Sequence, residues 1–336
     1  MAESKLEDFQ ILLPFLQSKD NFISGEELAE LTGVSRVSIW NHLKKLEREG
    51  FHFKGVRNRG YRLEKEPENL HAALLRAYAH LNEVDLGMHV YNSMDSTSSE
   101  VERRLIAGEP PPFGIFASEQ TRGRGRLGRS WQSLPAGNLH LSMAFRPTLR
   151  RDRMQVFTLW MGVNVAERVQ QLTGLPIRIK WPNDILCNEK KLAGILTEAR
   201  IDNDRLKDLI FGIGINVNAE KGFFHGDLEQ KATSLYLEKG KTFALHPFTM
   251  EILITLLQSY KKIESEDITP FLLKKWRLLD CLNGRQIMIQ NGNQAYSGVA
   301  DGIDENGALK VITGEKKTVL LRAGDVSLSM LYSSDR

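Results

Sequence analysis

One segment limits what this chain can fold into more than any other. Ser118-Glu119-Gln120-Thr121-Arg122-Gly123-Arg124-Gly125-Arg126-Leu127-Gly128-Arg129-Ser130-Trp131 sets four arginines among three glycines. It is flanked by two apolar runs, Gly114-Ile115-Phe116-Ala117 and Leu139-His140-Leu141-Ser142-Met143-Ala144-Phe145, that read as strands, so a folded domain displays the loop. Glycine lets backbone N–H groups approach an anion closely, and each guanidinium offers a rigid fork of donors to carboxylate or phosphate. An arginine–glycine nucleic-acid tail would be long, repetitive and poor in bulky apolar residues, whereas this run occurs once and ends in a tryptophan. It reads as a phosphoryl or acyl-phosphate site, with a solvated linker as the plainer alternative.

With 336 residues and about 150 per domain, two or three domains are expected. The apolar fraction of 41% and charged fraction of 26% exclude global disorder, and a net charge of +3 requires any basic patch to be local. Cys187 and Cys281 are too few for a disulfide framework or a four-cysteine zinc site. The N-terminus lacks the basic start and unbroken apolar core of a secretory signal, and the apolar run near Val156 to Ala166 falls short of the ~20 residues a bilayer requires. The expectation is a soluble cytoplasmic protein with no membrane partner.

Residues 1–66 read as a winged helix-turn-helix domain. A helix over about Leu6 to Gln17 precedes a second, capped by Ser24 with Glu27 three residues on; Gly33 makes the turn and Ser35 caps a third. On that third helix Ile39, Leu43 and Leu46 form the buried stripe, and Arg36, Asn41, Lys44 and Lys45 fall largely outside it. Two short strands, Phe51 to Phe53 and Tyr61 to Leu63, flank a basic tip with Arg57 and Arg59. From Val34 to Arg62 eight basic residues face only Glu47 and Glu49, while residues 1–33 are acidic overall. That polarity suits a recognition helix and wing against phosphates. A protein-binding or vestigial winged helix is the alternative.

The charged stretch Glu64 to Asn69 marks the first boundary. Residues 67–282 are mixed α/β, with helices over Leu70 to Leu81, Met154 to Leu172, Pro247 to Ile263 and Ile268 to Leu279, and strands over Ile177 to Trp181, Leu192 to Ala199 and Leu209 to Val217. From 283 to 336, turns at Asn291-Gly292, Asp304-Glu305-Asn306-Gly307 and Thr313-Gly314-Glu315 argue for a small β-barrel.

Lys180-Trp181-Pro182-Asn183-Asp184 places a cation, an amide and a carboxylate at a strand end, a set suited to a nucleotide and Mg²⁺, or simply a polar hairpin turn. Lys191 opens an apolar strand and can stand at a pocket rim; an exposed hairpin lysine is the default reading. Gly212-Ile213-Gly214-Ile215-Asn216 suits a strand beneath a ligand, or tight sheet packing. The histidines are scattered without metal-ligand spacing.

Taken together and in this order, the arginine–glycine loop with Trp131, Lys-Trp-Pro-Asn-Asp, Lys191-Leu192-Ala193-Gly194-Ile195-Leu196 with Glu198, Gly-Ile-Gly-Ile-Asn-Val and Ala232-Thr233-Ser234-Leu235 resemble the bacterial two-function biotin–protein ligases, which also act as biotin operon repressors. The resemblance covers nearly the whole chain. It implies a multidomain α+β protein: a winged helix, a class II synthetase-like mixed α/β catalytic domain and a C-terminal SH3-like β-barrel. It further implies that biotin and ATP form biotinyl-5′-AMP and that biotin passes to a lysine of the biotin carboxyl carrier protein of acetyl-CoA carboxylase, with Mg²⁺ at Asp184, operator DNA as a partner and a homodimer when adenylate is bound.

By the same resemblance the biotin site is Ser96, Thr97, Ser98, Gln120, Arg124, Gly125, Arg126 and Lys191. The nucleotide site is Arg129, Trp131, Lys180, Asn183, Asp184 and Asn216, and the catalytic groups are Lys191, Arg126 and Lys180. Ser98 departs from the asparagine common in the family. A lipoate–protein ligase, or a DNA-binding biotin sensor without turnover, are the competing readings.

Overall fold

The computed structural model describes residues 7–18, 21–133, 137–202, 205–291, 294–314, 317–322 and 324–328. The chain opens with α1 (Asp8–Ser18), α2 (Gly25–Thr32) and α3 (Arg36–Arg48), followed by the antiparallel pair β1 (His52–Val56) and β2 (Gly60–Lys65). Ser24 and Ser35 accept from the N–H groups of Glu27 and Ser38, and Gly33 ends α2 at φ +72°, as the sequence anticipates. Ile11, Leu12, Phe15, Leu28, Ile39, Leu43 and Leu46 close over one core.

Gly60 fixes how the wing meets the helices. Its residue neighbour Tyr61 exchanges two backbone hydrogen bonds of 2.8 Å with Ile23, and a Cβ on Gly60 would lie 1.9 Å from the Ile23 carbonyl oxygen.

The charged stretch that marks the first boundary begins inside β2 and is held in place. Glu66 accepts from the Tyr78 hydroxyl at 2.6 Å. Tyr78 belongs to α4 (Ala72–Leu81), a helix buried on two sides: Leu74 and Ala77 complete the winged-helix core, while Leu75 and Ala79 enter the central one.

The central region contributes β3 (Gly87–Met94), α5 (Thr97–Ile106), β4 (Phe113–Gln120), β5 (Leu139–Phe145), α6 (Met154–Thr173), β6 (Ile177–Lys180), β7 (Asp184–Cys187), β8 (Lys190–Asp202) and β9 (Arg205–Ile215). These strands form one mixed sheet in the order β3-β4-β5-β9-β8-β7-β6, parallel only between β3 and β4. α5 packs on β4, β5 and β9, and α6 packs on β6 and β8. The short α7 (Leu228–Lys231) and α8 (Leu235–Lys239) lead into α9 (Leu245–Ser265), which lies along α6, and α10 (Thr269–Leu279). Among the described residues no helix is long and apolar enough to cross a membrane.

The C-terminal strands correct the expectation of an SH3-like barrel. β10 (Gln286–Asn291), β11 (Gln294–Ile303), β12 (Leu309–Ile312), β13 (Thr318–Leu321) and β14 (Asp325–Leu328) form an open antiparallel sheet in the order β13-β12-β11-β10-β14. Its two edges, β13 and β14, do not pair among the described residues, and the sheet does not close. Closure would pair the two edge strands; here the sheet's apolar face is buried without it, since Ile287, Ile289, Ala300, Leu309 and Val311 belong to the central core itself. Trp181 fastens the two regions by donating its indole N–H to the Gly307 carbonyl at 3.0 Å. Gly292, Glu315 and residues 329–336 of the expected barrel lie outside the described residues.

Gly60→Ala is expected to destabilise the winged helix by ~3 kcal/mol or more, because a backbone carbonyl cannot move aside cheaply and φ is +99°. Hydrogen exchange of the α1 to α3 amides checks this; wild-type protection would contradict the packing described.

Candidate active site and nucleic-acid interface

The site is built on two glycines. Gly194 of β8 and Gly214 of β9 are direct cross-strand partners, and His140 of β5 pairs with Gly214 on the other side. With no side chains there, the Trp131 indole lies on the sheet: a Cβ on Gly214 would come 2.5 Å from the ring and one on Gly194 2.9 Å. Trp131 in turn ends the arginine–glycine loop, its N–H donating to the Gly123 carbonyl at 2.9 Å.

The loop differs from expectation in one respect. The N–H groups of Gly125, Arg129 and Trp131 are satisfied by carbonyls of the loop itself. An anion bound there would be met by the guanidiniums rather than by those N–H groups. Arg124 pairs with Glu198 at 2.7 Å, and Arg126 donates to Asn183 Oδ1 at 3.3 Å. Burial raises the Glu198 carboxyl above its ordinary range, with Arg124 opposing.

β6 and β7 form a hairpin in which Lys180 faces Asp184. Asn183 donates its side-chain N–H to the Ile195 carbonyl at 2.6 Å, tying the hairpin to β8. A register shift between Ile185 and Leu186 then brings Lys191 Nζ to 2.7 Å from Asp184 Oδ1. The polar-hairpin reading of this motif thus holds, and Lys180, Asn183 and Asp184 border a cavity.

At the other end of the cavity lies a buried hydroxyl cluster. Thr97 donates from its N–H and Oγ1 to Gln120 Oε1 at 2.8 and 3.0 Å, and Ser142 Oγ lies 2.7 Å from Thr97 Oγ1 and 3.0 Å from Ser98 Oγ. Ser96 caps α5 just beside them. Ser142 was missed in the sequence; its signal was a hydroxyl inside an otherwise apolar strand. His140 supports this end: Ser133, bonded to a ring nitrogen, accepts from the Gln120 N–H at 2.9 Å. Burial pushes the imidazole down to about 4, so it stays neutral at physiological pH.

Every ligand-facing residue expected from the sequence borders one cavity of about 320 Å³, a size suited to a small molecule. Arg129 and Gly125 stand on its loop side, and Asn216 on its floor. The Asn216 amide also donates to the Thr233 carbonyl at 3.0 Å and so fixes the following segment. From that segment Phe224 and Leu228 reach the cavity. Among the described residues no group of three His, Cys, Asp or Glu side chains could hold a metal ion alone.

On the winged helix, Arg36, Asn41 and Lys44 are exposed along α3, and Arg57 and Arg59 are exposed on the wing. Arg59 lies over the Phe22 ring at 4.6 Å. Lys45 departs from this face: its ammonium turns to Asp8 of α1 at 2.5 Å, which also holds His42.

The model of the Biotin/lipoate A/B protein ligase family matches residues 90–216, that of an HTH domain residues 8–62, and that of the Biotin protein ligase C terminal domain residues 283–329. The bifunctional ligase/repressor BirA of Bacillus subtilis (strain 168) is 34% identical over 303 residues, spanning 90% of this chain and 92% of that protein. BirA of Escherichia coli (strain K12) is 31% identical over 298 residues, 88% of this chain and 89% of that protein. The structure of the biotin protein ligase from Aquifex aeolicus in complex with biotin and ATP matches with a TM-score of 0.63 at 28% identity, covering 72% of this chain and 99% of that one. An HTH domain, a ligase domain and a ligase C-terminal domain thus follow one another in one chain, which belongs to the biotin–protein ligase family in its bifunctional ligase/repressor form.

Proposed function

We infer that the cavity between the arginine–glycine loop and the glycine floor is where this ATP-dependent biotin–protein ligase forms biotinyl-5′-AMP. The observation that carries this is the convergence of Lys180, Lys191, Arg124 and Arg126 with Asn183 and Asp184 on one small cavity. A biotin carboxylate oxygen must attack the α-phosphorus of ATP while the α–β phosphoanhydride bond breaks and pyrophosphate leaves. Two unit negative charges at about 4 Å repel by roughly 4 kcal/mol at an effective dielectric of 20. Lys191, released from Asp184, sits where it offsets that repulsion, and Lys180 and Arg126 supply further positive charge to the phosphates.

Asp184 is the carboxylate that would help hold Mg²⁺, mostly carried by the triphosphate, consistent with one acidic side chain at the site. The ion, when bound, neutralises phosphate charge and polarises the reacting phosphorus. In the second step the neutral ε-amine of a carrier-protein lysine attacks the acyl carbon, the mixed-anhydride bond to phosphate breaks, AMP departs and the amine loses a proton. We propose the biotin carboxyl carrier protein as that acceptor.

The hydroxyl-lined end favours biotin over lipoate. Thr97, Ser98, Ser142 and Gln120 offer donors and acceptors that a cyclic urea can use and a dithiolane ring cannot.

The winged helix makes the protein a DNA-binding repressor as well. We propose that adenylate, by contacting Phe224 and Leu228, orders the segment 218–231 for pairing of two copies, so that two winged helices meet an operator together.

Lys191→Ala is expected to lower biotin-dependent exchange of pyrophosphate into ATP by about 10²- to 10³-fold; near-wild-type exchange would remove Lys191 from the reaction. Sedimentation and operator titration should both strengthen when biotin and ATP are added, with affinity falling steeply as salt rises. If neither responds, the pairing proposal fails while the ligase reading stands.

A further inference from the structure

The outward face of α3 carries an anomaly. Opposite the buried stripe of Ile39, Leu43 and Leu46 run Arg36, Val37, Trp40, Asn41 and Lys44, one continuous exposed row at helical spacing. Two of these are large apolar side chains left open to solvent, Val37 at 69% and Trp40 at 50% exposure. Folding gains nothing from placing them there. Cationic residues accompany them: Arg36 and Lys44 are exposed on the same row, and Arg57 and Arg59 are exposed on the wing. A protein surface would not need such a flank, whereas a polyphosphate backbone on both sides of a groove does.

We propose that Val37 and Trp40 read DNA sequence by packing against the 5-methyl groups of thymines in the major groove. This rests on the reading of the winged helix as an operator-binding module. Phosphate contacts from the arginines and lysines position a protein but carry no sequence information. Sequence is read at base edges, and the thymine methyl is the one apolar feature on the major-groove edges of the four bases. The N-terminal half of the second helix of a helix-turn-helix is the part that reaches those edges, and Val37 and Trp40 stand in the first turns of α3, after the Ser35 cap. Asn41, beside them, has the side chain that pairs with adenine N6 and N7. The three uncharged side chains of the row therefore all match A·T pairs.

The test begins with the full-length protein, biotin, ATP and Mg²⁺, used to select duplexes from a random-sequence pool. The enriched duplex is then remade with deoxyuridine for every thymine, which removes methyl groups and no base-pairing atom. Wild-type protein is expected to lose about fourfold in affinity for each methyl it contacts, the value of one buried methyl-sized group, and at least about tenfold in all. Trp40→Ala and Val37→Ala should bind the thymine duplex more weakly, show a reduced preference for thymine over deoxyuridine, and keep wild-type affinity for random duplex and wild-type thermal midpoints. Equal binding of both duplexes by the wild type overturns the inference and needs no variant. So does a full thymine preference retained by both variants. Failure to enrich any sequence would instead overturn the operator-binding reading, and this inference with it.

Discussion

The contact between Trp131 and the paired glycines Gly194 and Gly214 sets the rest of the site. A side chain at either glycine would lift the indole. Because the Trp131 N–H is bonded to the Gly123 carbonyl, the loop carrying Arg124 and Arg126 would move with it. Lys191 depends on the same flatness, since its Nζ lies 3.4 Å from where a Gly194 Cβ would stand and 5.6 Å from the indole centroid. One bare patch of sheet thus places the loop, the ring and the lysine together.

Electrostatics explains how the fold accommodates so cationic a cavity. Unpaired charges in a partly dehydrated site are costly, and one-sided removal of a partner costs more than the pair contributes. Lys191 is therefore met by Asp184, and Arg124 by Glu198. Both carboxylates belong to the neighbouring strands β7 and β8, so an anion entering the cavity would take over the cations by exchange of partners.

What could be read in advance was local. Ser24 and Ser35 announced their helices because a cap is a matter of three residues, and the stripe of Ile39, Leu43 and Leu46 needed only the helical period. The ligand-facing set came from the resemblance of ordered motifs to a family, and one cavity gathers it. Long-range relations were hidden. The Lys191–Asp184 pair follows from a register shift in β7–β8, Lys45 turns away because Asp8 arrives from another helix, and the C-terminal sheet stays open with its apolar face buried in a core assembled from distant segments. α4 concealed the most: its residues show a helix, but only the assembled protein shows that Leu74 and Leu75, adjacent in sequence, enter two different cores.

Through α4 the winged helix is packed onto the ligase rather than tethered to it. The His71 N–H donates to Nε2 of the buried His246 at 2.9 Å, and Glu66 lies 3.4 Å from the other nitrogen of that ring. The winged helix and the central region therefore share packing contacts as well as a chain. The claim that the cavity makes and transfers a biotinyl adenylate is tested most directly by mass spectrometry of a biotin carboxyl carrier domain incubated with the protein, ATP, Mg²⁺ and either biotin or lipoate. The expected result is one biotinyl group on one lysine and no lipoyl group; a carrier left unmodified with biotin, or modified with lipoate, would contradict that claim.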